Sequence, residues 1–214
     1  MYATVADLRA EGVTSAQASD ERLTQLIDEA SVFVDRETGW WFEPRDLELT
    51  LSGRGASSIE TPAPTIHLSA MHIDGVSKRV DADALLIVGA PVHFVPFDPR
   101  LTRRHGHVFH RGVGNVVLTG TFGYTEPDGT TLGRTPPAIG RVVMRLVLGL
   151  IPRLTDASAP SDAWDRWRII AEITRDQAVR YSPVSDLLLR DAALDPELAA
   201  ILNRYARPIG LGAS

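Results

Sequence analysis

Apolar residues recur at helical spacing near both ends of the chain and alternate at strand spacing between them. Leu23, Leu26, Ile27, Ala30, Phe33 and Val34 fall on one face of a helix, the pattern of an element packed on one side. Ser19 caps it, Asp20 and Glu21 sit at its positive end, and Gly39 is the expected stop. Ahead of it, Thr4 and Asp7 make a short-acid capping box, and Gly12 ends a two-turn helix. Ile139, Val142, Val143, Leu146, Val147, Leu150 and Ile151 predict a broadly apolar helix, with Thr135 as cap, Pro136 in the first helical position and Pro152 as terminator. Ser161 is expected to open a further helix carrying Trp164, Trp167, Ala171 and Thr174 on one face, with Arg168 and Glu172 paired across a turn. Asp195-Pro196 opens a last helix, with Leu198, Ile201, Leu202 and Tyr205 on one side and Pro208 as breaker.

The middle of the chain has period two. Leu47, Leu49 and Leu51 alternate as in a half-buried strand, and Gly53-Arg54-Gly55 is a turn. Ile66, Leu68 and Ile73 belong to another strand, and Asp74-Gly75 signals a hairpin into Val76–Val80. Leu85 to Val88 is a short apolar strand, and Val116 to Tyr124 is the clearest strand of all. Residues 89–114, with three prolines, four arginines and four of the six histidines, are read as a long hairpin or loop. The fold class expected is α+β: a mainly α-helical bundle with an inserted antiparallel β-rich region and an extended C-terminal arm. The bundle spans residues 1–44 and 134–205, the insertion 45–133 and the tail 206–214.

Composition narrows the chemistry. The chain has 214 residues, 44% hydrophobic and 23% charged, enough to bury a core. A net charge of -5 gives no bulk sign of nucleic-acid binding. The absence of cysteine excludes disulfides and thiol catalysis. No apolar run approaches membrane-span length and no leader pattern opens the chain, so a soluble protein made in the cytoplasm is expected, with no membrane partner. Arginine outnumbers lysine so heavily that Lys78 stands alone, as in a GC-rich genome. No Gly-x-Ser-x-Gly elbow, phosphate-cradling Gly-Lys-Ser/Thr loop or His-Glu-x-x-His motif is present, and no catalytic residue or cofactor is assigned.

Three stretches are similar to the head–tail connector (adaptor) family of tailed bacteriophages and gene transfer agents. They are Tyr2 to Phe42, with Val5-Ala-Asp-Leu8 and the aromatic end after Thr38-Gly39; the Ile66–Val80 hairpin; and Val116 to Tyr124 followed by Pro136-Pro-Ala-Ile139 and its helix. The resemblance implies a helical bundle with a β-rich insertion and a ring, typically of twelve copies, beneath the portal of a virion. Such a ring extends the DNA channel without sequence-specific binding and presents a surface to a neck stopper or tail-terminator protein. The family supplies no catalytic residues. This chain is longer than many members, chiefly through residues 81–114 and its C-terminal third. A neck stopper or tail-completion protein is the alternative role within the same particle.

Several residues carry two readings. His105, His107 and His110 are either an exposed basic hairpin tip or, with His105 and His107 alternating on one side of a strand, the ligands of a small metal-dependent enzyme. The tip, with Arg100, Arg103, Arg104 and Arg111, would meet an acidic neighbour or passing DNA phosphates. Arg141 and Arg145 interrupt the apolar helix, and either reach solvent along their stems or pair with Asp28 and Asp35 of an adjacent subunit. The acidic face holding Asp28 and Asp35 is otherwise solvated, or repels DNA in a channel. Trp40 and Trp41 are core residues, or one of them lies in a subunit interface. Tyr205, Arg207, Ile209 and Leu211 belong either to a loose tail or to an arm that orders on the portal.

Overall fold

The computed structural model describes residues 1–88, 99–151, 169–173, 178–181 and 195–207. The chain divides into two compact units, one from Met1–Glu37 and Pro137–Asn203, the other from Thr38–Pro136 and the residues from Arg204 onward.

The first unit holds helices and, in its described parts, one antiparallel hairpin between Ile169–Ile173 and Ala178–Tyr181. Helix α1, Val5–Ala10, opens on the predicted capping box: Thr4 Oγ1 accepts the Asp7 N–H at 3.2 Å, and the Asp7 carboxylate accepts the Thr4 N–H at 2.8 Å. Gly12, at φ +96°, supplies the left-handed stop. The Arg9 guanidinium donates to the carbonyls of Val13 and Ala18 and pairs with Asp20 at 2.5 Å, which clips the loop between α1 and α2. Helix α2, Asp20–Thr38, buries the six apolar positions picked out by their spacing. Helix α3, Pro137–Leu150, buries Ile139, Val142, Val143, Leu146, Val147 and Leu150 and touches α1. Gly140 lets the Tyr2 carbonyl close on α3, since a Cβ there would lie 3.0 Å from that oxygen. Helix α4, Pro196–Tyr205, is capped by Asp195, whose carboxylate accepts the N–H groups of Glu197 and Leu198 at 2.9 and 3.2 Å.

The second unit is built from two antiparallel sheets. The larger runs β1-β7-β3-β4 and the smaller β2-β6-β5, from β1 (Arg45–Leu51), β2 (Ser58–Glu60), β3 (Thr65–Ile73), β4 (Val76–Lys78), β5 (Leu85–Val88), β6 (Arg100–Arg103) and β7 (Val116–Phe122). The leucines of β1 are its half-buried positions, alternating with exposed ones as their spacing requires. β3 and β4 join at Asp74-Gly75, where φ of +54° and +76° gives the tight turn that Asp-Gly favours. β7 is central, paired with β1 on one side and β3 on the other. One core serves both sheets: Leu68, Met71, Ile73, Val116, Leu118 and Phe122 from the larger meet Leu85 and Leu101 from the smaller, with Phe109 of the following loop.

These findings correct the expected fold class. The chain is not mainly a helical bundle: among the described residues the strands take up nearly as many positions as the four helices, and the sheets own a separate core. The long loop expected over 89–114 contains β6, which bridges β2 and β5. Its sequence, Arg100-Leu101-Thr102-Arg103, has one apolar residue and so no visible period, yet Leu101 is completely buried. The helix expected from Ser161 does not reach Ala171. Residues Ile169–Ile173 and Ala178–Tyr181 pair as an antiparallel hairpin, β8–β9, in line with the strand preference of Ile169, Ile170, Ile173 and Val179. Trp164, Trp167 and residues 182–193 lie outside the described residues. Helix α3 begins at Pro137, so Thr135 and Pro136 both lie ahead of its first residue, and the Thr135 hydroxyl donates to the Phe42 carbonyl at 2.8 Å.

Candidate assembly surfaces

The chain returns to the second unit at the end of α4, where four aromatic rings meet. Trp40 is 2% exposed, and its Nε1–H donates to the Tyr205 carbonyl at 2.6 Å. Its ring lies 5.7 Å from that of Tyr124, which lies 5.6 Å from both Phe42 and Tyr205. The Tyr205 hydroxyl donates to Glu126 at 3.0 Å, and the Arg207 N–H donates to the Thr38 carbonyl at 2.7 Å. Burial pushes the Tyr124 hydroxyl pKa up to about 12, and burial with the Glu126 bond raises that of Tyr205 as well. Tyr205 and Arg207, expected in a tail, are thus tied into folded structure, while Ile209 and Leu211 lie outside the described residues. Trp41 is half-buried, donates to the Phe122 carbonyl at 2.8 Å and carries the Arg45 guanidinium 5.4 Å above its ring. Both tryptophans therefore have partners within the chain, which an irregular segment between α2 and β1 permits.

The charged candidates separate into engaged and available groups. Arg145 bonds Glu197 at 2.6 Å and lies 3.5 Å from Asp195, so it closes on the N-terminus of α4, and the Glu197 bond raises its pKa. Asp35 accepts the Tyr2 hydroxyl. Asp28 and Arg141 stand exposed.

The histidine-rich segment is a turn, not a strand. His105 and Gly106 both take positive φ, +56° and +73°, and the His107 N–H donates to the Arg104 carbonyl at 3.2 Å. His105 Nε2 lies 3.1 Å from the Asp83 carbonyl oxygen, and His110 Nδ1 lies 2.8 Å from the Asp74 carboxylate. Arg103 donates to the Val108 carbonyl and stacks 5.9 Å over Phe109. Arg100, Arg104, His107 and Arg111 are exposed. Among the described residues, no three His, Asp or Glu side chains converge as metal ligands. Lys78, Arg79, Asp83, Arg103 and the three histidines line a shallow groove of about 410 Å³.

Asn115 fixes the base of this region. Its Oδ1 accepts the Gly53 N–H at 3.0 Å, and its Nδ2 donates to Asp74 at 2.9 Å and to the His110 carbonyl at 3.1 Å. The Asn115 bond, with that of His110, holds the Asp74 pKa below the ordinary carboxylate value. A group depressed in this way adds stability above its unfolded pKa and loses that contribution as the pH falls through its folded pKa. Asn115→Ala is expected to move the Asp74 titration back up toward the free value, as read by carboxyl-carbon NMR between pH 2 and 6.

No protein-family model matches the sequence, and no curated protein matches it. Solved structures do. One chain of a structure described as the neck of an empty GTA (gene transfer agent) particle, computed with C6 symmetry, aligns over 97% of this chain and 91% of its own, with TM-score 0.51 and 17% identity. The chain shares its fold with that neck chain. A second neck chain, from a native particle computed with C12 symmetry, covers 79% of this chain and 90% of its own at 18% identity and TM-score 0.46. A chain of the virion of a native particle covers 73% and 81% at 20% identity and TM-score 0.46.

Two carboxylates that hold the histidines escaped the sequence reading. Asp74 is 36 positions from His110 and Asp83 is 22 from His105. No local spacing reveals such pairs. Asn115, placed just ahead of the strongest strand and after two glycines, is the one signal in the sequence that marks this junction.

Proposed function

We propose that this chain is a non-enzymatic structural protein of a tailed particle, the head–tail adaptor that forms a ring beneath the portal, extends the DNA channel and joins the capsid to the neck. The observation that carries the reading is the shared fold, along nearly the whole chain, with a chain of a particle neck. The sixfold symmetry of that neck agrees with a ring of twelve, since a twelvefold ring contains a sixfold axis. Among the described residues, surfaces open to assembly include the exposed acids of α2 such as Asp28, the exposed Arg141 and the turn bearing Arg104, His107 and Arg111. Ile209 and Leu211 are assigned to an arm that orders on the portal.

The test is the native mass of the protein alone and mixed with its portal, followed by negative-stain imaging. A ring stacked on the portal is expected, with its copy number read directly. A monomer that ignores the portal overturns the adaptor reading and favours a neck stopper or tail-completion role. Deletion of residues 208–214 is assayed beside the full chain, with the unfolding midpoint recorded as the control for folding. The same deletion is expected to remove portal binding in a pull-down.

A further inference from the structure

Unlike surfaces are the requirement for a closed head-to-tail ring, and the charge of this chain is strongly polarised. Residues 1–37 hold eight acids against three arginines, whereas residues 100–111 hold four arginines and three histidines and no acid. The pairing expected between α2 and α3 is largely closed off, because Arg145 is held by Asp195 and Glu197, and Asp35 receives the Tyr2 hydroxyl. The acids exposed on α2 are Asp20, Glu21, Asp28, Glu29 and Glu37, of which Asp20 pairs with Arg9 and Glu37 with Arg36. Asp28 and Glu29 lie one turn from Val32, a valine 61% exposed. Positions 21, 25, 28 and 32 follow helical spacing, so acid and valine share one stripe.

A matching surface lies on the second unit. The groove lined by Lys78, Arg79, Arg103 and His107 is basic: Asp83 and Asp74 engage His105 and His110, and Asp81 engages Arg79 at 2.7 Å. Exposed Arg104 and Arg111 flank it in sequence. Val76 and Leu86, on the two strands that adjoin it, are 55% and 43% exposed and offer apolar surface for Val32. The turn that builds the groove is braced by Asn115 and Arg103, so little order has to be gained on binding.

We propose that the acidic α2 stripe of one copy, centred on Asp28 and Val32, docks into the Lys78–Arg103–His107 groove of the next copy and forms the repeating contact of the ring. This inference rests on the ring reading above. A contact of exposed charges sets partner and register and weakens with salt.

The absence of cysteine gives a clean background for a test on the full-length protein. Asp28→Cys and His107→Cys are made singly and together, at exposed positions, and treated with a short bismaleimide under the conditions in which native mass shows the ring, alone or on the portal. The double variant is expected to give a covalent ladder up to the copy number. The two single variants mixed are expected to give dimers only, and each by itself none. Lys78→Glu with Arg104→Glu is expected to cut the ladder at least tenfold. Adding Glu21→Lys and Glu29→Lys to the same chain is expected to restore it. A ring without the 28–107 cross-link overturns this contact and leaves the adaptor reading standing. No ring under either condition overturns both. An unchanged ladder in the groove variant, with weakened binding to duplex DNA, assigns the groove to nucleic acid and overturns the proposal.

Discussion

Replacing Trp40 with alanine is expected to lower the free energy of unfolding by about 3–5 kcal/mol, as measured by urea titration. The indole is 2% exposed and its removal leaves a cavity beside Tyr124. It also strips the Tyr205 carbonyl of its donor, an orphaned buried acceptor that costs about 1–3 kcal/mol. The bond joins residues 165 positions apart, so its loss also weakens the hold of the Trp40 segment on the end of α4. Trp40→Phe separates the two effects. It keeps much of the ring and loses only the donor, and its cost is expected to be less than half that of alanine. Equal costs for the two variants would assign the effect to the hydrogen bond instead of the ring.

Gly120→Ala is expected to destabilise the sheet by about 3 kcal/mol, the top of the usual range for overpacking. A Cβ at Gly120 would lie 2.2 Å from the His67 carbonyl oxygen and 3.0 Å from the Leu68 Cα, both backbone atoms of β3. No side-chain rotation relieves that clash. The register of β3 against β7 shifts on both sides of this point, between Thr65 and His67 and between Leu68 and Ala70. The bulged backbone therefore presses into the space that only glycine leaves. Amide hydrogen exchange checks the location of the damage. Protection is expected to fall first along β3 and β7, while α1 and α3 keep theirs. Uniform loss of protection would show the two units unfolding as one.

The legible parts of the fold are those whose signals are local. Thr4 with Asp7, Gly12, Asp195 and the Asp74-Gly75 turn act within four residues of themselves, and each stands where its chemistry predicts. The leucines of β1 and the buried face of α2 announce themselves by period. The second sheet was hidden because β2 and β6 are short and pair across some forty positions, with a single apolar residue in β6 to mark it. Thr135 looked like a cap by position, but its hydroxyl serves Phe42, a partner 93 residues away. The same limit applies to the candidate surfaces. Composition showed the basic segment and the acidic helix. Which charges were already spoken for, Arg145 by Glu197 and Asp35 by Tyr2, depends on tertiary contacts that no spacing encodes.

The division of the chain also fixes an order of events. The helical unit is assembled from residues 1–37 and 137–203, so its first two helices leave the ribosome long before α3 exists to cover them. The sheets between them need nothing beyond Pro136 except the end of α4. Once β1 pairs with β7 and Thr135 reaches Phe42, the two ends of the β segment are side by side. A closure spanning about a hundred residues then becomes one across a few, and the entropy of bringing α2 to α3 has largely been lost already. Folding thus runs from the inside out while synthesis runs from end to end: closing the middle of the chain brings Phe42 and Thr135 together before α2 meets α3.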